Sequence, residues 1–175
     1  MMDNISTMSV QSKVSEDRIM GKPVFNELIA EGGESFVHYL ESHGLAEEDN
    51  MLVLSSRRHY YYDPNELQSV TTLINIKKLN LIRNLNNFLQ SIVFVLSPES
   101  NFVGCFCDRK TQKSSGLTSR MYKGLINFLD DKTDVDYDKN HVQRLLESHG
   151  FKVIDMTEIN GLTYFKAQNT GYHAN

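Results

Sequence analysis

Positive charge, cysteine and long apolar runs are all scarce in this chain of 175 residues. Its 18 Lys and Arg are outnumbered by 22 Asp and Glu, for a net charge of −4. A nucleic-acid binder replaces condensed counterions with a basic face, so this balance argues against nucleic acid as a partner. A local basic patch stays compatible with it. No apolar run approaches the length that crosses a bilayer. The longest, SIVFVLS at 91–97, lies inside a segment of helical period. The opening MMDNISTMSVQSKVSEDRIM has no compact apolar core after a positive start, so it does not read as a signal peptide. The expectation is a cytoplasmic protein that does not itself span a membrane.

The only two cysteines, Cys105 and Cys107, stand two apart in FVGCFCD. On a strand they would share a face, roughly 6–7 Å apart at the ordinary rise. That separation does not suit a disulfide. A C-x-C pair could open a metal site, but no second Cys pair or spaced His pair completes one. No metal is expected, and the pair reads as two buried strand thiols. The acidic stretch DDKTDVDYDKN (130–140) lacks the Gly and terminal Glu of a calcium loop and reads as a solvated connection. A nucleophile elbow and a P-loop are both missing.

What remains is an alternation of helix and strand. Residues 1–22 are polar and aperiodic and read as a flexible tail, 23–169 as one domain, and 170–175 as a second tail. Apolar residues at helical spacing predict helix over 24–44, broken at Gly32-Gly33 and stopped at Gly44. Helices are also predicted over 79–96, 119–129 and 139–149. MLVLSS (51–56), TTLINI (71–76) and NFVGCFCD (101–108) read as strands. GFKVIDMTEINGLTYFKAQN (150–169) reads as two strands joined at Asn160-Gly161. Such an order favours an α/β fold: a small, mainly parallel sheet of about five strands flanked by helices, with right-handed crossovers and a closing antiparallel β-hairpin.

The run TTLINI, amphipathic helix, Ser-Pro break, NFVGCF, helix, GFKVID, LTYFKAQ resembles the second half of class I S-adenosylmethionine-dependent methyltransferases over about residues 70–168. That implies a partial methyltransferase-like Rossmann fold. Five blocks, FNELIAEGGESFVHYLESHGL, MLVLSS, INIKKLNLIRNLNNFL, FVGCFCDRKTQK and LLESHGFKVIDMTEINGLTYFKAQ, are similar in order and spacing to the cytoplasmic region of Bacteroidetes-type bacterial sugar transferases of capsule and exopolysaccharide synthesis. The longer members carry a long apolar insertion between DRKTQK and HVQRLLESHG; here there is a soluble helix and an acidic loop. Membrane attachment and transferase activity therefore do not carry over. What the likeness implies is a component working beside a membrane-bound sugar transferase, or binding a sugar-nucleotide.

A methyltransferase holds its donor over a glycine-rich turn that follows its first strand, where only Gly lets the backbone come close enough. The glycine cluster before residue 100 is AEGGES, which follows a helical segment rather than a strand. No cofactor is therefore expected. The alternative is an active S-adenosylmethionine-dependent methyltransferase with an unconventional cofactor site. Because ligands of open α/β sheets bind at the carboxyl ends of strands, the candidate binding residues are those leaving each strand: Arg57, Arg58, His59 and Tyr60; Asn75 and Lys77; Asp108 and Arg109. The arginines could grip phosphate, His59 could titrate near neutrality, and the tyrosine could stack on a sugar or base. A solvated charged loop is the plainer reading of the same residues.

Overall fold

The computed structural model describes residues 23–54, 69–109 and 136–171. Arg57, Arg58, His59, Tyr60, the predicted helix 119–129 and both predicted tails lie outside them. The chain divides after Asp49 into two compact units.

In the first unit, α1 (Pro23–Gly32) and α2 (Glu34–Ser42) are separated by Gly33. Gly33 has φ of 77°, and its N–H donates to the carbonyls of Leu28 and Ile29. A left-handed residue ends one helix and turns the chain into the next, as the paired glycines predict. At the end of α2, Gly44 has φ of 66° and donates to Glu41 O, while Leu45 N donates to Leu40 O. These two bonds make a Schellman cap. Phe25, Leu28, Phe36, Tyr39 and Leu40 are buried.

The second unit is built on an open five-stranded sheet in the order β1-β2-β3-β5-β4. Its strands are β1 (Met51–Leu54), β2 (Thr72–Asn75), β3 (Asn101–Phe106), β4 (Phe151–Ile159) and β5 (Leu162–Asn169). β1, β2 and β3 pair in parallel, with Leu54 opposite Asn75 and Ile74 opposite Val103. β5 runs antiparallel to both β3 and β4. Four of the five strands therefore share a direction, in a mixed methyltransferase-like Rossmann sheet ending in the predicted hairpin. Asn160 (φ 52°) and Gly161 (φ 83°) make its turn, two successive positive φ angles whose twist matches that of the strands.

One helical face of the sheet carries α3 (Leu85–Val95) and α4 (Lys139–Ser148). Leu85, Leu89, Ile92 and Val93 of α3 and Val142 and Leu146 of α4 bury into one cluster with Leu73, Phe102, Phe106, Phe151 and Phe165. Phe102 is central, 5.3 Å from the ring of Phe151 and 5.4 Å from that of Phe165 at an edge-on 67°. Aromatic pairs of this geometry add about 0.5–1.5 kcal/mol beyond the area they bury. Gly104 gives the Phe165 ring its space, since a Cβ there would stand 2.7 Å from the ring.

Three expectations are corrected. The segment 79–96 is not one helix: a single 3-10 turn, Leu79–Leu81, precedes α3, whose N-cap is Asn84. Asn favours caps over helix interiors because its amide competes for backbone groups. β2 and β3 end at Asn75 and Phe106, one and two residues before the expected bounds, so Cys107 lies just beyond β3 and is only partly buried, whereas Cys105 is buried. In the connection 130–140, Tyr137 is buried and Asp138 caps α4 by accepting from His141 N at 2.8 Å.

Candidate functional site: the carboxyl ends of the parallel strands

Both α3 and α4 begin on the side of the sheet where β1, β2 and β3 end. α3 follows β2 and crosses back to start β3, and α4 leads into the amino end of β4, which points the same way. The crevice side of an open α/β sheet is this one.

The end of β3 is held by side-chain and backbone pairing from two directions. Asn80, buried beyond β2, donates from Nδ2 to Cys107 O at 3.2 Å and accepts Cys107 N–H on Oδ1 at 2.7 Å. Its amide thus substitutes for a strand neighbour and satisfies both backbone groups. On the following residue, Asp108 bridges in parallel to Tyr137, and Arg109 N donates to Tyr137 O at 2.9 Å. Tyr137 is thereby fixed beside the end of β3, one residue before the α4 cap.

Next to it lies a depression of about 350 Å³ lined by Ile82, Arg83, Asn84, Leu85, Asn86, Asn87, Tyr137, His141 and Leu145. The start of α3 supplies the amides and Arg83; the start of α4 supplies His141. The rings of Tyr137 and His141 are 5.3 Å apart. Asn84 makes no side-chain cap bond to the first N–H groups of α3. Burial pushes the Tyr137 phenol above its ordinary value, which keeps it a neutral donor.

The predicted site residues fall in different places. Asn75, at the end of β2, is fully buried: Nδ2 donates to Lys77 O at 2.6 Å, and Oδ1 has no hydrogen-bond partner among the described residues. Lys77 and Arg109 are exposed, and Asp108 is buried. Asp108 and Arg109 do not line the depression; their backbones pair with Tyr137, which does. Arg83, Asn84, Asn86, Asn87, Tyr137 and His141 were not singled out by sequence. The available signal was the run RNLNN, rich in cap-forming amides where a helix interior was expected. Cys105 Sγ points to Ile76 O at 3.7 Å, and burial raises its thiol to about 12 against a weaker lowering by Lys78. It is a packed thiol rather than a nucleophile. Among the described residues no group of three or more His, Cys, Asp or Glu could hold a metal ion, and no helix is long and apolar enough to cross a membrane.

No family model matches the chain, and no curated protein matches it. Solved structures do. One chain of the Haloferax volcanii complex between the Trm112 methyltransferase activator and a methyltransferase shares 11% identity at a TM-score of 0.50, over 82% of this chain and 71% of that one. Human N-acetylserotonin methyltransferase, solved with SAM, shares 16% identity at 0.48, over 64% of this chain and 32% of its own. The mitomycin 7-O-methyltransferase MmcR shares 15% at 0.47, over 76% and 38%. This chain thus spans about a third of the length of the human enzyme. At such identities the likeness is one of fold.

Proposed function

We propose that the chain is a methyltransferase-like module that does not hold the methyl donor and serves as a binding component of bacterial surface-polysaccharide synthesis. The observation that carries the first half is the run that follows β1. SSRRHYYYD leaves this strand without a glycine, and no glycine occurs from Leu45 to Val103. Every residue there carries a Cβ where a donor-binding turn needs the backbone to approach the ligand directly. The second half is supported by the five sequence blocks similar to Bacteroidetes-type sugar transferases. A sugar-nucleotide, or a membrane-bound sugar transferase as protein partner, is the ligand class this reading implies.

Thermal-shift measurements with S-adenosylmethionine, S-adenosylhomocysteine and a panel of sugar-nucleotides test it. A ligand that binds only the native state raises the midpoint by an amount that grows with its concentration. The reading expects a rise with a sugar-nucleotide and none with the two adenosyl compounds. A rise with the adenosyl compounds would instead favour an active S-adenosylmethionine-dependent methyltransferase.

A further inference from the structure

We propose that Asn160-Gly161, the tip of the closing hairpin, is a self-modification site, where the asparagine loses its amide and the backbone is rerouted through an isoaspartyl linkage. Of the asparagines in this chain, only Asn160 is followed by glycine. The pairing matters because the chemistry begins with attack by the next residue's backbone nitrogen on the asparagine side chain. A following residue with a Cβ shields that nitrogen, and glycine has none.

The fold holds this pair in the open. Both residues are exposed, and loop tips are where a folded chain opens most readily. Among the described residues, nothing beyond its chain neighbours lies within 4 Å of where a Gly161 Cβ would stand. Ile159 pairs with Leu162, and the hydrogen bond that closes a two-residue turn joins these flanking residues. Gly161 N–H is therefore left out of that bond. The tolerance of φ at 52° and 83° that suits Asn-Gly to the turn thus also keeps a reactive sequence at the surface.

The step balances without any oxidant or reductant. Gly161 N forms a bond to Asn160 Cγ, and the Cγ–Nδ2 bond breaks. The Gly161 proton leaves with Nδ2 as ammonia, closing a five-membered imide. Water then opens the imide. Cleavage at the side-chain carbonyl gives ordinary aspartate; cleavage at the main-chain carbonyl gives isoaspartate, whose backbone runs through Cβ and Cγ. Either product adds a negative charge to a chain already at −4. β3 and β4 point the same way, both being antiparallel to β5. The new charge therefore arises on the side of the sheet where β1, β2 and β3 end. Isoaspartate also lengthens the turn by one backbone atom, which a two-residue loop of set register does not accommodate. The pairs Ile159-Leu162 and Glu158-Thr163 should then loosen.

The test is to age the full chain at pH 8 and follow the tryptic peptide 153–166 by mass spectrometry, with fragmentation that separates aspartate from isoaspartate. Expected is conversion of this peptide ahead of every other asparagine-containing peptide, with isoaspartate as the larger product. The ladder slows the reaction without preventing it, so unfolding in urea should raise the rate severalfold. Gly161→Ala, compared in urea where a positive φ costs nothing, should slow conversion by about an order of magnitude, since the new Cβ shields the nitrogen. In the aged chain, amide exchange at Ile159 and Leu162 should quicken. Asn160→Asp, which carries the charge on an unaltered backbone, should exchange there like the fresh chain. Earlier conversion at another asparagine, an intact 153–166 peptide while the urea-unfolded chain converts, or an unchanged rate in Gly161→Ala would each overturn the site. Unaltered exchange in the aged chain, or the same quickening in Asn160→Asp, would overturn its consequence for the hairpin.

Discussion

Replacing Gly104 by alanine should destabilise the sheet unit through one identifiable collision. The added methyl would stand 2.7 Å from Cζ and 2.8 Å from Cε1 of Phe165. Ordinary contact is 3.4–4 Å, so ring and strand must separate by several tenths of an ångström at least. Phe165 is fully buried and packs edge-on against Phe102, so the ring cannot swing into solvent. Overpacking of this kind costs about 1–3 kcal/mol. Gly104 has no positive φ, so alanine also returns the ~0.5–1 kcal/mol that glycine loses within a strand. The net expectation is a loss of about 1–2 kcal/mol, read as a lower midpoint in urea denaturation at unchanged slope. Adding Phe165→Leu removes the atoms that collide, so the double variant should be more stable than the sum of the singles by about 1 kcal/mol. Additive behaviour, or a change below about 0.5 kcal/mol for Gly104→Ala alone, would refute the account of this contact.

Other perturbations test separate links. Asn169 donates from Nδ2 to Leu96 O at 2.7 Å and Val93 O at 3.1 Å, closing the end of α3 from the last residue of β5; Asn169→Ala should cost about 1–3 kcal/mol and speed amide exchange at that helix end, and unchanged exchange would argue against the cap. At pH 8 iodoacetamide should label Cys107 well before Cys105, whose thiol is raised to about 12 by burial; equal rates would contradict the packing. That raised value has a signed consequence. The unfolded thiol ionises near 9.0 while the native one stays protonated, so this group's stabilisation is whole below pH 9 and declines by about 1.4 kcal/mol per pH unit from there towards 12. Cys105→Ala should remove that increment from the pH dependence of stability measured between pH 9 and 10.5, and an unaltered slope would count against it.

Most of the architecture was legible because its signals are local. Gly33, Gly44 and Asn160-Gly161 each announce a backbone conformation that few other residues adopt. The apolar run of β3 announces a strand covered on both faces. What escaped depends on residues distant in sequence. Asn80 mimics a strand neighbour for Cys107, 27 residues on, and Asn169 caps a helix more than 70 residues back. An amide that serves a remote backbone looks, in sequence, like any surface Asn. Tyr137 was hidden for a related reason: it sits in an acidic run, yet its backbone pairs with Asp108 and its side chain joins the apolar cluster of the sheet. Of the candidate residues, Asp108 and Arg109 pair through their backbones with Tyr137, whereas Asn75 is fully buried at the end of β2. The side chains lining the depression were passed over because the start of α3 was read as helix interior.

Isothermal calorimetry of the full chain with S-adenosylmethionine tests the central claim most directly, since it asks whether this sheet, with SSRRHYYYD after β1, still holds the methyl donor. The account predicts no binding heat up to millimolar concentrations, weaker than about −4 kcal/mol. A saturable isotherm with a micromolar Kd would contradict it.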